Sequence, residues 1–345
     1  MKIGSFDFSN KTTFIIAELS ANHNGSLEFA KETIRAAKRA GADAIKLQTY
    51  KADTITLDVK ESQFKINHGT EWDGRYLYDL YEEAHLPWEW HQELFETAAI
   101  EGLICFSSPF DPTAVDLLET LNVPAYKIAS YEITDIPLIE LVASKGKPVI
   151  FSTGIAGEDD IKLAVEACKK QGNDQIIILK CTSAYPTPPE QANLANISEI
   201  ANRFNVMAGF SDHTLGIVAP VLSVAYGARV IEKHFILDKS DGGVDSHFSL
   251  DEREFQEMVD AVRIAEKMTG EANFELTDKM KGQRDFSRSL YVAEDIKKGD
   301  PITEVNVRSI RPGFGLHPKY YREILGKKVK TDVMKGTPMS FDFFS

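Results

Sequence analysis

AYKIASYEITDIPLIELVASKGKPVIFSTGIAGEDDIKLAVEACKKQGNDQIIILK, residues 125–180, carries the pattern that decides the fold. Three short apolar, β-branched runs, AYKIA (125–129), PVIFS (148–152) and QIIILK (175–180), are separated by longer stretches. One of these, IKLAVEACKKQG, is amphipathic and ends on a glycine, where a left-handed helix cap is favoured. Working outward, the same alternation holds from residue 14 to about 268, with further strands predicted at FIIAE (14–18), AIKLQ (44–48), LICFS (103–107), VMAGF (206–210) and RVIEK (229–233). Helical patterns include LEFAKETIRAAKRAGA, PWEWHQELFETAAIEG and REFQEMVDAVRIAEKM. Eight strand–helix units predict an α/β fold with a parallel sheet closed into a (β/α)8 TIM barrel over residues 1–268. An aromatic and charged insertion, from about 50 to 86, reads either as a wall or lid beside the barrel mouth or as a surface excursion.

Beyond 268 the texture changes. Residues 269–285 are polar without a period and read as a linker, and residues 286–345 read as a small second domain with strand signals in SLYVA, ITEVNVRSI and KVKTDV. The chain has 345 residues, 43% hydrophobic and 26% charged, which suits a globular protein with a large core. A formal net charge of −13 argues against nucleic acid or an anionic membrane as partner, because the long-range field repels both. The apolar run FIIAELSA is short and interrupted by Glu18, so neither a signal peptide nor a membrane span is expected, and the expected location is cytoplasmic. Cys105, Cys168 and Cys181 lack CxxC spacing and read as reduced core residues. There is no GxGxxG fingerprint, phosphate loop or GxSxG elbow.

In such a barrel the C-terminal strand ends converge on one mouth. Those ends carry Glu18 with Asn22 and His23, Lys46 and Gln48, Ser107 and Ser108, Lys127 with Ser130 and Glu132, Ser152, Lys180 with Tyr185, Ser211 with Asp212 and His213, and Glu232 with His234. Lys46 and Lys127 lie inside apolar runs, where a lysine is costly unless an anion compensates it. Together they suggest a phosphate or carboxylate site, with hydroxyls of Ser108, Ser130, Ser152 and Ser211 as neutral donors. His213 and His234 end the last two strands and suggest a two-histidine site for a divalent ion, with Asp212 and Glu232 as supporting or substrate-binding groups. His68, His85 and His91 fall in the insertion and the helix after it and read as surface or packing residues.

IIAELSANHNGSLE (15–28), KLQTYKADT (46–54), SSPFD (107–111), YKIASYEI (126–133), FSTG (151–154), CTSAYPTPPEQANL (181–194), GFSDHT (209–214) and VIEKHF (230–235) together resemble the sialic acid (nonulosonic acid) synthase family. The likeness runs over almost the whole chain, and residues 286–345 resemble the SAF (antifreeze-like) domain that closes these enzymes. It implies a transferase that joins phosphoenolpyruvate to an N-acetylated amino sugar. The phosphoenolpyruvate site would be Lys46, Ser108, Lys127, Ser130, Ser152 and Ser211, and a divalent metal (Mn2+, Co2+ or Mg2+) would be held by His213 and His234. The family's sugar contacts map to Glu18, Glu132, Tyr185 and Asp245, and Arg311 matches an arginine supplied by the SAF domain of a partner, which implies a domain-swapped homodimer.

ELSANH, SSPFD and GGVDSHFS look like the branch that makes pseudaminic acid from 2,4-diacetamido-2,4,6-trideoxy-β-L-altropyranose. The alternatives are the same reaction giving N-acetylneuraminate or legionaminate, and, more remotely, a noncatalytic sugar-binding protein on the same fold. Glu132 and Glu18 are both open as general base.

Overall fold

The computed structural model describes residues 1–67, 69 and 72–344; His68 lies outside the described residues. The chain divides into two compact units, Met1–Gly270 and Glu271–Ser345.

The first unit begins with a two-stranded antiparallel hairpin, β1 (Lys2–Ile3) and β2 (Phe6–Asp7). The barrel strands follow: β3 (Phe14–Glu18), β4 (Ala44–Thr49), β5 (Ile104–Pro109), β6 (Tyr126–Ile128), β7 (Val149–Ser152), β8 (Ile176–Lys180), β9 (Met207–Asp212) and β10 (Val230–His234). They close in the order β10-β3-β4-β5-β6-β7-β8-β9, every neighbour parallel. The predicted (β/α)8 barrel is therefore present, with strand limits shifted by at most about two residues. The helices between successive barrel strands include α1 (Leu27–Arg39), α2 (Ala52–Ile55), α3 (Leu77–Ala84), α4 (His91–Ile100), α5 (Pro112–Thr120), α6 (Ile136–Ala143), α7 (Glu158–Lys170), α8 (Asn196–Phe204) and α9 (Val218–Ala225), and α10 (Glu252–Thr269) follows β10. Side-chain oxygens of Ser26, Asp111 and Asp251 accept first-turn N–H groups of α1, α5 and α10, which otherwise lack partners.

Strand alternation sorts the barrel residues into two cores. Ile15, Ala17, Ile45, Leu47, Tyr126, Ile128, Phe151 and Phe210 pack outward with the helices. Phe14, Ile16, Ala44, Phe106, Ile150, Ile177, Leu179 and Val230 fill the interior, joined by Ile3 and Phe8 from the N-terminal segment. Phe6 stacks on Phe14 with ring centroids 4.7 Å apart, and Arg229 donates to the carbonyl of Phe8 at 2.9 Å, so the hairpin plugs the N-terminal end of the barrel. Polar side chains are thereby left to the other end. The insertion folds against that end: Trp72 lies 5.8 Å from Tyr185 between ring centroids, which makes it a wall of the mouth.

The second unit contains α11 (Asp278–Gln283), β11 (Ser289–Val292), β12 (Val307–Ile310) and α12 (Tyr321–Ile324). β11 and β12 pair antiparallel, and the rest of its pairing is isolated bridges such as Ile296–Val333 and Val329–Phe344. It has its own small core, including Leu290, Val292, Ile302, Val307, Ile324, Val329 and Met339. Most of the segment read as a linker clusters with this unit, and α11 gives part of it a helical turn that its weak periodicity concealed. Among the described residues no helix is long and apolar enough to cross a membrane.

Candidate active site

One step above the apolar interior, the inward positions become polar. Glu18 on β3, Lys46 on β4, Ser108 on β5, Lys127 on β6, Ser152 on β7, Ser211 on β9 and Glu232 on β10 share the alternation of the interior residues beneath them. Lys46 is 3% and Lys127 1% exposed, so neither ammonium keeps its water. Both are held by neighbours. Lys46 Nζ lies 2.9 Å from Glu18 and 3.5 Å from Glu232 and donates to Ser108 Oγ at 3.3 Å. Lys127 Nζ donates to Ser152 Oγ at 2.6 Å and lies 3.7 Å from Glu232, whose Oε1 also accepts from Ser211 at 3.3 Å.

The charges are unequally secured. Burial pushes the Glu18 carboxyl up to about 7 despite Lys46. Burial also works against charged Glu232, but Lys127 and Lys46 outweigh it and hold that carboxyl below its ordinary value. Burial lowers Lys127, whereas for Lys46 it is outweighed by Glu18 and Glu232, which raise the ammonium. Glu132, in the turn after β6, is pushed by burial up to about 7, and its Oε2 is buried without a hydrogen-bond partner. Gln48 donates to Glu18 at 2.9 Å and to Ser20 at 3.0 Å, and Ser20 donates to Asp245. Burial raises the Asp245 carboxyl.

His213 and His234 stand together, ring centroids 5.3 Å apart, beside Tyr185 and Phe248. His213 Nδ1 lies 3.1 Å from the Thr182 carbonyl, which only accepts, so this nitrogen carries the hydrogen, and in the neutral ring the lone pair is on Nε2. His234 Nδ1 is buried without a hydrogen-bond partner, 3.8 Å from Asp245. Among the described residues no three metal-binding side chains converge, so an ion at this pair would keep most of its shell for water or substrate.

A model of the NeuB family matches residues 33–274, and one of the SAF domain matches 287–345. The chain belongs to the NeuB family. It is 53% identical to a pseudaminic acid synthase of Campylobacter jejuni over 97% of each chain, and 48% identical to a pseudaminic acid synthase of Helicobacter pylori over 95% of this chain and 96% of that one. Among solved structures, an N-acetylneuraminic acid synthetase of Leptospira borgpetersenii in complex with citrate matches at 30% identity and a TM-score of 0.73, covering 82% of this chain and 94% of that one.

In this NeuB-family barrel, Glu18, Lys46, Ser108, Lys127, Ser152, Ser211, His213 and His234 share the inward face, with Tyr185 and Asp245 against the histidine pair. Ser130 joins them through Cys181, its Oγ 3.6 Å from the thiol. Arg311 is exposed just past β12, in the second unit. Three expected mouth residues point the other way. Ser107, register partner of outward-packed Leu47 and Tyr126, has its hydroxyl 2.7 Å from Thr49 Oγ1 behind the wall. Asp212 is ion-paired with Lys233 at 2.6 Å, both side chains fully buried behind the wall, because strand alternation turns it outward next to inward Ser211. Lys180 likewise faces outward and donates to Thr182 Oγ1 at 2.8 Å. Cys181, read as core, is buried but faces the mouth, 3.8 Å from His213 Nδ1. Burial alone would raise its thiol, yet His213 and Ser130 outweigh that and bring it down to about 7. Ser20 and Phe248 were not foreseen, since they enter from loops after β3 and β10.

The Glu132 shift generates a stability prediction. With its folded value near 7 against an ordinary 4.5, the folded chain holds a proton the unfolded chain releases, so stability falls as pH rises between those values. Glu132→Gln removes that penalty. Urea unfolding is expected to show the variant more stable by about 3 kcal/mol at pH 8 and by roughly a quarter of that at pH 5, at about 1.36 kcal/mol per pKa unit. Equal effects at both pH values would contradict the assignment.

Proposed function

We propose that this chain makes pseudaminic acid, condensing phosphoenolpyruvate with 2,4-diacetamido-2,4,6-trideoxy-β-L-altropyranose and releasing phosphate. The reading of the sugar rests on likeness to the Campylobacter and Helicobacter enzymes over nearly the full chain. That of the other substrate rests on one observation, two lysines buried side by side in the inward layer. A small polyanion entering there exchanges water for fixed cations and for the hydroxyls of Ser108, Ser130, Ser152 and Ser211.

The residues divide the work by position. Lys46 and Lys127 hold phosphate and carboxylate while C3 of phosphoenolpyruvate attacks the aldehyde of the open-chain sugar. Water then adds at C2 and phosphate leaves by C–O cleavage. Glu132, which exchanges its proton near neutrality, would take the proton from that water in its ionised form; Glu18 is engaged by Lys46 and Gln48 and is less available. Tyr185 and Asp245 would orient the sugar beside the histidines. The histidine pair fits a divalent ion, Mn2+, Co2+ or Mg2+, since His213 presents Nε2 and His234 has a buried nitrogen without a partner. Such an ion would supply Lewis-acid polarisation of the aldehyde oxygen. The reaction belongs in the cytoplasm, in keeping with three free cysteines.

The test offers phosphoenolpyruvate with each of three sugars, the altropyranose, N-acetylmannosamine and the legionaminic acid precursor, and reads products by mass spectrometry. The altropyranose is expected to be consumed fastest, with activity lost on chelation and restored by Mn2+. Preference for either other sugar overturns the substrate, and full activity in metal-free protein overturns the ion.

The working unit, in this reading, is a homodimer in which Arg311 serves the partner's mouth. Arg311 is exposed, and so are Phe274, Met280 and Phe286 in the segment before β11. Mixing Arg311→Ala with His213→Ala subunits puts both lesions in one site of a heterodimer and leaves the other intact. Activity is expected to reappear; heterodimers as inactive as both parents would exclude the exchange.

A further inference from the structure

The Asp212–Lys233 pair lies behind the barrel wall, out of reach of any ligand in the mouth, yet each member directly precedes one of the two histidines. Asp212 and Lys233 are register partners across β9 and β10, and their side chains meet at 2.6 Å with no exposed surface. The contacts extend to the backbone that carries His213. Asp212 Oδ1 accepts from Thr214 N–H at 2.8 Å, and Lys233 Nζ donates to the Thr214 carbonyl. The backbone after His213 is thus held on both its polar groups, while the His213 carbonyl accepts from Thr187 N–H at 2.9 Å. On the other strand, the His234 carbonyl accepts from Leu250 N–H at 2.9 Å.

We propose that Asp212 and Lys233 form a positioning clamp that sets the separation and direction of His213 and His234. A buried ion pair is a weak source of net stability, since two well-packed apolar residues of similar size serve as well or better. Its geometric demand is what distinguishes it. The ammonium must meet the carboxylate and the Thr214 carbonyl at once, which fixes the ends of two neighbouring strands relative to each other. Two imidazoles that would complete only part of an ion's shell depend on that spacing, because among the described residues no third metal-binding side chain joins them. The clamp rests on the proposed histidine metal site, and the experiment separates the two.

The test compares the full chain with the double variant Asp212→Leu/Lys233→Met, which replaces the pair by apolar side chains and leaves no unpaired buried charge. A milder variant, Asp212→Asn, keeps an acceptor for Thr214 N–H and loses the charge. Mn2+ binding without substrates is measured by electron paramagnetic resonance, alongside thermal unfolding and the KM for phosphoenolpyruvate. The expected result is Mn2+ affinity weaker by about tenfold to a hundredfold in the double variant and by severalfold in Asp212→Asn. The melting temperature and the KM for phosphoenolpyruvate are expected to change much less than the Mn2+ affinity, because Ser211 and Glu232, which steady Lys46 and Lys127, face the opposite side of the wall from Asp212 and Lys233 and keep their own contacts. Parent-like Mn2+ affinity in a folded double variant would reduce the pair to a structural role. If the double variant does not fold, unchanged affinity in Asp212→Asn has the same force. A rise in KM as large as the loss of Mn2+ affinity would mean general loosening of the mouth and also overturns the clamp. If the parent itself binds no Mn2+, the metal site falls and the clamp with it.

Discussion

Two lysines are buried where an apolar core ends, and the arrangement of the mouth follows from what it takes to keep them there. An ammonium removed from water loses several kcal/mol of hydration unless charges and dipoles replace it. Here the replacement comes from five strands: Glu18, Ser108, Ser152 and Glu232 surround Lys46 and Lys127, and Ser211 steadies Glu232. A slip of one residue in any strand would send its member of this group into the helix layer. The closed barrel, plugged at the far end by the N-terminal hairpin, gives the group a fixed floor of Ile16, Phe106 and Ile150.

The balance within that layer also bears on binding. Two cations face two carboxylates, one of which, Glu18, is brought by burial to about 7 and so exchanges its proton near neutrality. In the proposed reaction, an incoming polyanion would compete with Glu18 for Lys46, and protonating Glu18 would leave the cations free to hold it. The charge of the mouth is then adjustable at small cost, while Glu232, held ionised by both lysines, keeps them in place.

The architecture was legible because eight apolar runs spaced by helices leave few alternatives to a parallel barrel, and the lysines stood out as misfits in AIKLQ and AYKIA. The direction of each side chain was harder to read. Strands of a parallel barrel are apolar on both faces, so the alternation that marks a half-solvated strand is absent. Asp212 and Ser211, or Lys180 and Cys181, are adjacent polar residues whose faces only the register with neighbouring strands decides. Hence the sequence alone places Asp212 at the mouth and Cys181 in the core, whereas the register turns Asp212 outward to Lys233 and turns buried Cys181 toward His213. The N-terminal hairpin escaped notice because two strands of two residues carry no periodic signal. In the second unit, KVKTDV forms only isolated bridges, since its turns and small core hold it without a continuous ladder.

The central claim is that Lys46 and Lys127 are buried to hold phosphoenolpyruvate. It is tested most directly by titrating phosphoenolpyruvate into the parent, Lys46→Ala and Lys127→Ala, each verified as folded, with the sugar KM measured in parallel. Removing one charge-assisted contact costs about 1.5–3 kcal/mol, so the account predicts affinity for phosphoenolpyruvate weaker by roughly tenfold to a hundredfold with a much smaller change for the sugar. Unchanged phosphoenolpyruvate affinity in both variants would contradict it.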